Sequence, residues 1–200
     1  MLSKNDRPAI GLRERKKVKT RAAIQQHALR LFREQGYAAT TVDQIANAAE
    51  LSPSTFFRYF PTKEDVVLYD AIDPIMIAAF KAQPPELNPI QALRRGVRAV
   101  VAELPAEELA QQRERLDLFL AAPELRAAWM GELFRSLELL AELIADRSGR
   151  SKDDFAVRNL AGAVFGVAAA TLLPMAEDPE ADLFALLDAG MAHLEAGLPL

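Results

Sequence analysis

Proline limits the folds open to this chain more than any other residue. Its ring fixes φ and removes a backbone donor, so it is tolerated in the first turn of a helix and disrupts a helix interior or a central strand. In these 200 residues, Ser52-Pro53, Asn88-Pro89, Leu104-Pro105, Ala122-Pro123 and Asp178-Pro179 each place a proline at a helix start. Pro61 closes the helix opened at Ser52 after barely two turns. Between these marks apolar residues recur at helical spacing, as in Ile24, Ala28, Leu31 and Phe32, and neither an alternating strand pattern nor an internal repeat is present. The composition favours helix as well, being rich in Ala, Leu and Glu. The expected fold is all-α with about nine helices, near 13–35, 42–50, 53–60, 63–81, 89–103, 106–121, 124–146, 152–173 and 179–196.

Half of the residues are apolar, enough for a sizeable core. There is no cysteine, which excludes disulfides and thiolate metal sites and makes a reducing cytoplasm the expected compartment. The N-terminal "MLSKNDRPAIGLRERKKVKTR" lacks the apolar core of a signal peptide. The longest uncharged run, "LAGAVFGVAAATLLPM" at 160–175, falls short of the ~20 residues of a bilayer span and reads as a buried or interface helix.

The net charge of −4 conceals an asymmetry. Residues 1–63 carry 12 Lys/Arg against 5 Asp/Glu, a net of +7, which leaves −11 on the rest. A basic head on an acidic body points to a polyanion bound by the head alone.

The organisation follows from the helix signals. Residues 1–12 are polar and without period, and read as a disordered arm. A helix from about Arg13 stops at Gly36, suited to a left-handed C′ position. Thr41 and Gln44 form a capping box ahead of a short helix with Val42, Ile45, Ala46 and Ala49 on one side. Ser52 caps the next helix with Pro53 in its first turn, and Thr62 caps another with Glu64 and Asp65 near its positive end. Two short helices after a longer one are the layout of a helix-turn-helix unit. The expected boundaries are 13–62 for this unit and 63–200 for a larger helical body.

The segment "LSPSTFFRYFPTKEDVV", 51–67, carries the most chemistry. On a helix, Phe56 and Phe60 share a face suited to a core with Ile24, Phe32, Val42 and Ile45. The other side presents Pro53, Ser54, Phe57 and Arg58. Such a surface suits insertion into a major groove, with its N-terminal residues at base edges and Arg58 and Tyr59 at phosphates.

Residues 13–68 resemble the N-terminal domain of the tetracycline-repressor (TetR) family of bacterial transcriptional regulators. The resemblance rests on Thr20-Arg21, Ala28, Leu31-Phe32, Gly36-Tyr37, Thr40-Thr41-Val42, Ile45-Ala46, Ala49, Leu51-Ser52, Thr55-Phe56, Tyr59-Phe60, Lys63 and Leu68. It covers about a quarter of the chain; the remainder matches the family in length and helical character. It implies a homodimeric, ligand-responsive repressor of a palindromic operator. By the same resemblance, Thr20, Thr41, Tyr59 and Lys63 hold phosphates, Ser54, Thr55, Phe57 and Arg58 face the groove or its backbone, and Pro53 stands at the entrance. Arg21, Thr40 and Ser52 complete the candidate DNA-binding set. Ser54 stands where the family often has Gly, and Phe57 where it often has Tyr, so the operator sequence does not carry over.

In the body, Gly162, Gly166, Ala169 and Ala170 give one helix a small-residue face, and Leu183, Leu187, Met191 and Leu194 lie along an apolar stripe of the last helix. Such a pair from each of two subunits can form a four-helix dimer interface, as in the family; burial within one subunit is the alternative. Met76, Phe80, Leu116, Phe119, Leu120, Trp129, Met130, Leu133 and Phe134 are bulky apolar residues of the middle helices. They are core residues or, as the resemblance implies, the lining of a pocket for a small apolar effector.

His27 and His193 stand alone without acids at ligand spacing, so no metal is expected. The run 13–21, "RERKKVKTR", suits phosphate or minor-groove contact, or a solvated helix face. No Ser-His-Asp set, glycine-rich phosphate loop or paired acid is present, so neither an enzyme nor a cofactor is expected. The rival readings are a helical protein-interaction module with a basic head, and a regulator that lacks an effector or activates transcription.

Overall fold

The structure is a computed structural model that describes residues 11–178 and 180–199. The expected arm, 1–12, lies mostly outside the described residues, as does Pro179. The chain divides into two compact units, 1–69 and 70–200.

The first unit contains α1 (Leu12–Gln35), α2 (Val42–Ala48), α3 (Pro53–Tyr59) and α4 (Glu64–Leu68). α1 ends at Gly36, whose φ of 87° suits a residue without Cβ. Both sides of the Thr41–Gln44 capping box form: Thr41 Oγ1 accepts from Gln44 N at 3.2 Å and Gln44 Oε1 accepts from Thr41 N at 2.9 Å. Ser52 Oγ accepts from Thr55 N at 3.2 Å, with Pro53 following it. Thr62 and Asp65 exchange an equivalent pair of bonds ahead of α4. Phe56 and Phe60 are buried in the core with Ile24, Phe32, Ile45, Val66 and Val67.

The second unit holds α5 (Asp73–Lys81), α6 (Pro89–Val101), α7 (Ala106–Ala121), α8 (Pro123–Ser148), α9 (Phe155–Ala170), α10 (Leu172–Glu177) and α11 (Leu183–Glu195). No strand is present among the described residues, and the fold is all-α. Among the described residues, the nine expected helices become eleven because two break. A continuous helix over 63–81 would bury Pro74 in its interior, against the carbonyl of Asp70. Instead the chain leaves the helix at Tyr69, Asp70 Oδ1 accepts from Ile72 N at 2.8 Å, and Pro74 enters the first turn of α5. The helix expected over 152–173 likewise breaks at Thr171, whose hydroxyl donates to the Ala168 carbonyl at 2.7 Å, three residues before Pro174. Its start also moves, from 152 to Phe155, because Asp154 rather than Ser151 caps the first turn. α11 starts at Leu183 rather than at 179, capped by Asp182.

Two glycines set close helix crossings in the second unit. A Cβ on Gly96 would lie 3.1 Å from Phe80 N, and one on Gly190 only 2.5 Å from Val167 Cγ1. The second contact presses α11 against α9. Ion pairs tie α11 to α6 as well: Arg94 meets Asp188 at 3.2 Å and Glu195 at 2.5 Å, and Arg98 meets Asp188 at 2.6 Å. α9 and α10 together span Phe155–Glu177, 23 residues with a mean hydropathy of 1.6 in the most apolar window, only 22% of which is buried. By length and composition this stretch reaches a bilayer span, contrary to the shorter run read from sequence. The interruption at Thr171 divides it into two helices.

Candidate nucleic-acid interface

α3 is buried on one side only. Phe56 is fully enclosed, and Phe57, its neighbour, stands 51% exposed with its ring edge-on to Phe56 at 5.5 Å. At the N-terminal end Ser52 Oγ lies 3.0 Å from Ser54 Oγ and 2.9 Å from Thr55 Oγ1, a cluster of three hydroxyls beside the exposed Pro53. At the other end the exposed Arg58 guanidinium lies 5.5 Å from the Tyr59 ring centre. The Tyr59 phenol is held below its ordinary pKa, mainly by a hydrogen bond with Thr20 and, against the opposing effect of burial, by Arg58 and Lys16. Hydroxyls at one end, an apolar ring in the middle and a cation with a phenol at the other make up the exposed side of α3.

Three residues expected at DNA also have partners within the head. Thr40 is 1% exposed; its hydroxyl donates to the Gly36 carbonyl at 2.8 Å and accepts from Gln35 Nε2 at 3.1 Å. Lys63 Nζ donates to the carbonyls of Tyr37 at 2.9 Å and Thr40 at 3.1 Å, and lies 4.1 Å from the Tyr37 ring centre. Two acceptors and a π face occupy the ammonium, which joins the start of α4 to the loop after α1. The Arg21 guanidinium stacks over the Tyr69 ring at 5.0 Å and is half-buried. Thr20 donates its hydroxyl to the Lys16 carbonyl at 2.9 Å, and Thr41 remains exposed at its cap.

Sequence reasoning missed the residues that hold this unit from within. Buried Gln25 donates to the carbonyls of Val66 at 2.8 Å and Tyr69 at 2.9 Å, closing the end of α4. Its signal was its place four residues before Leu29 and seven before Phe32, on the buried side of α1. Tyr37 donates to Glu64 Oε1 at 2.7 Å.

The profile for bacterial regulatory proteins of the tetR family matches residues 24–69, and the profile of the MftR C-terminal domain matches 87–199. TcmR of Streptomyces glaucescens, an HTH-type transcriptional regulator, is 40% identical over 151 residues, 72% of this chain and 67% of that protein. The chain belongs to the TetR family. It is a helix-turn-helix transcriptional regulator. The regulator MftR of Mycobacterium tuberculosis is 28% identical over 178 residues, covering 88% of this chain and 89% of that one. Among solved structures, FadR of Thermus thermophilus, a TetR-family repressor in complex with lauroyl-CoA, is 26% identical with a TM-score of 0.56, covering 90% of this chain and 95% of FadR.

In this TetR-family chain, the nine residues expected to line a pocket do not line one cavity. Phe119, on α7, meets Trp129 edge-on at 5.7 Å, and Trp129 stacks on Phe165 of α9 at 5.2 Å. Leu116, Leu120 and Leu133 are half-buried. Phe134 and Met130 instead stand 77% and 54% exposed, and Phe134 borders an open cleft with Leu137 and Ala141 of α8 and Ala161 and Gly162 of α9. Phe80 lines a separate, water-sized void of ≈ 20 Å³ with Leu93, Leu140 and Ile144, and Met76 is half-buried on the same helix. Phe165 was missed because its helix was read for its small residues alone.

The expected interface residues separate too. Gly162, Gly166 and Ala170 are exposed, and a Cβ on either glycine would meet no atom within 4 Å. Ala169, Leu183, Leu187 and Leu194 are half-buried, whereas Met191 is 6% exposed and belongs to the core of its own subunit. No group of three or more His, Cys, Asp or Glu suited to a metal occurs among the described residues.

Proposed function

We propose that the chain is a homodimeric repressor that works in the cytoplasm on a palindromic operator and is released by a small effector with an apolar part. Residues 13–62 would bind DNA, and 63–200 would hold the effector and the second copy. The observation that carries this reading is α3: buried on one side through Phe56, it presents Ser54, Thr55, Phe57 and Arg58 on the other. Phe57 offers an apolar face to thymine methyls, and the hydroxyls can meet base edges. Two-fold symmetry would place two such helices in successive major grooves about 34–36 Å apart. The small face of Gly162, Gly166 and Ala170 on α9, with the flanking leucines of α11, is the proposed contact between copies.

For the effector we favour the aromatic cluster of Phe119, Trp129 and Phe165 with Leu116, Leu120 and Leu133. FadR, whose complex holds lauroyl-CoA, supports an acyl chain as the class to try first. Selection from random-sequence duplexes should return an inverted repeat bound by two copies, and a non-symmetric or absent consensus overturns the operator reading. Trp129 is the single tryptophan, so its emission reports the effector site directly. It should change on titration with lauroyl-CoA or a related acyl thioester. An unchanged emission across chain lengths removes the acyl class.

A further inference from the structure

We propose that the N-terminal turns of α1 form a second DNA-binding surface, in which Arg13, Lys16 and Lys17 grip duplex phosphates flanking each recognition half-site. The inference rests on the reading of the head as a DNA-binding unit and extends its footprint. α1 begins at Leu12, eight residues before Thr20, so it projects about 12 Å beyond the last residue shared with the helix-turn-helix core. Arg13, Lys16 and Lys17 stand at i, i+3 and i+4 with Thr20 at i+7 and the buried Ile24 at i+11. They therefore continue, N-terminal to the core, the side of α1 that packs inward farther along. There, no core covers it: Arg13, Lys16 and Lys17 are exposed.

The electrostatics of Tyr59 agree with this face: Thr20 lowers its phenol most, and Arg58 and Lys16 lower it too. Thr20 is itself tied to the Lys16 carbonyl at 2.9 Å, one turn back along α1. Lys16 shares its side of α1 with Thr20 and Ile24 at helical spacing, the side that meets the rest of the head at Ile24. Charge agrees with geometry, since residues 11–21 contain five Lys/Arg besides Arg21 and a single acid, Glu14. Arg15 and Lys19 point the other way on the helix and supply an internal control. The partner that fits a row of cations continuing from a phosphate-binding tyrosine is duplex DNA, read through its backbone and without base information.

The test uses the full chain and a duplex selected by it, either cut at the half-site ends or extended by about four base pairs, the number spanned by ~12 Å at 3.4 Å per step. Removing one lysine or arginine from a phosphate should lower the slope of log affinity against log salt by about 0.9. The triple variant Arg13→Gln, Lys16→Gln, Lys17→Gln should therefore reduce the slope of the dimer on the extended duplex by about 5. On the cut duplex it should match wild type. Arg15→Gln with Lys19→Gln should leave the slope nearly unchanged. Wild-type protein supplies an arm of its own: its affinity should fall when the flanks are removed. Equal reductions for the two variants, or a wild type indifferent to the flanks, overturn the inference while leaving operator binding intact. Failure of the wild type to bind any selected duplex would instead sink the DNA-binding reading itself.

Discussion

At the scale of single residues, Lys63 separates what resemblance implies from what packing decides. As a phosphate contact it would matter only with DNA present. Its ammonium instead satisfies the carbonyls of Tyr37 and Thr40 and covers the Tyr37 ring. Lys63→Ala should cost about 1–3 kcal/mol of head stability by leaving those acceptors short of a donor. Urea unfolding without DNA measures it directly. Unfolding identical to wild type, with affinity reduced equally on specific and non-specific duplexes, would return Lys63 to phosphate binding. Thr41, Ser52 and Thr62 were legible because a cap is a local event, completed within three residues of sequence. The partners of Thr40, Lys63 and Arg21 inside the head were not, since a polar residue beside a loop looks the same whether its partner is solvent, a phosphate or a distant carbonyl. Their partners lie four to 48 residues away.

Helices show the same division. Proline punctuation and periodicity made the all-α fold and the layout of the head legible. The two breaks, before Pro74 and before Pro174, follow the same proline rule but sit inside long apolar runs that read as continuous helix. Packing between helices was less legible, as the glycines illustrate. Gly162 and Gly166 drew notice through their spacing, yet Gly190 is where helices meet, with a Cβ clash of 2.5 Å against Val167. Gly190→Ala should destabilise the second unit by about 1–3 kcal/mol, and adding Val167→Ala should recover part of that stability by vacating the space. Gly166→Leu behaves oppositely. Its side chain enters open space in the subunit, so the monomer should melt like wild type and fail to dimerise. Sedimentation together with thermal unfolding distinguishes the two cases, and a folded Gly166→Leu dimer would place the interface elsewhere.

For the whole molecule, the question is how stability and control are distributed over the second unit. The clamp between α6 and α11 makes stability depend on acid. Asp188 is held below the ordinary carboxylate range, first by Arg98 and then by Arg94, against desolvation; Glu195 is lowered by Gln91 and then Arg94. A carboxylate with a depressed folded pKa contributes stability above its unfolded value, near 4, and loses it as pH falls through the folded value. Melting should therefore weaken below about pH 4, and Asp188→Asn should be less stable at neutral pH with a shallower acid slope. Control needs a path from the effector cluster to the segment that follows the head. Asp70 opens the second unit and is bound by Arg115 at 2.8 Å and by Gln112 Nε2 at 2.9 Å, both on α7. Phe119 lies one turn beyond Arg115 on the same helix. An effector wedged against Phe119 would shift α7 and carry Asp70 with it. Release of the operator by 100-fold requires about 2.7 kcal/mol of differential affinity between two conformations, and operator DNA must then weaken effector binding by the same factor. Asp70→Asn keeps the side chain's shape and an acceptor for Gln112 while removing the charge that holds Arg115. It should leave operator and effector affinities each near wild type and bring their coupling close to unity, read by Trp129 emission titrations with and without the operator duplex. If the variant still transmits the full factor in both directions, α7 does not act through Asp70, and the signal leaves the effector cluster by another helix.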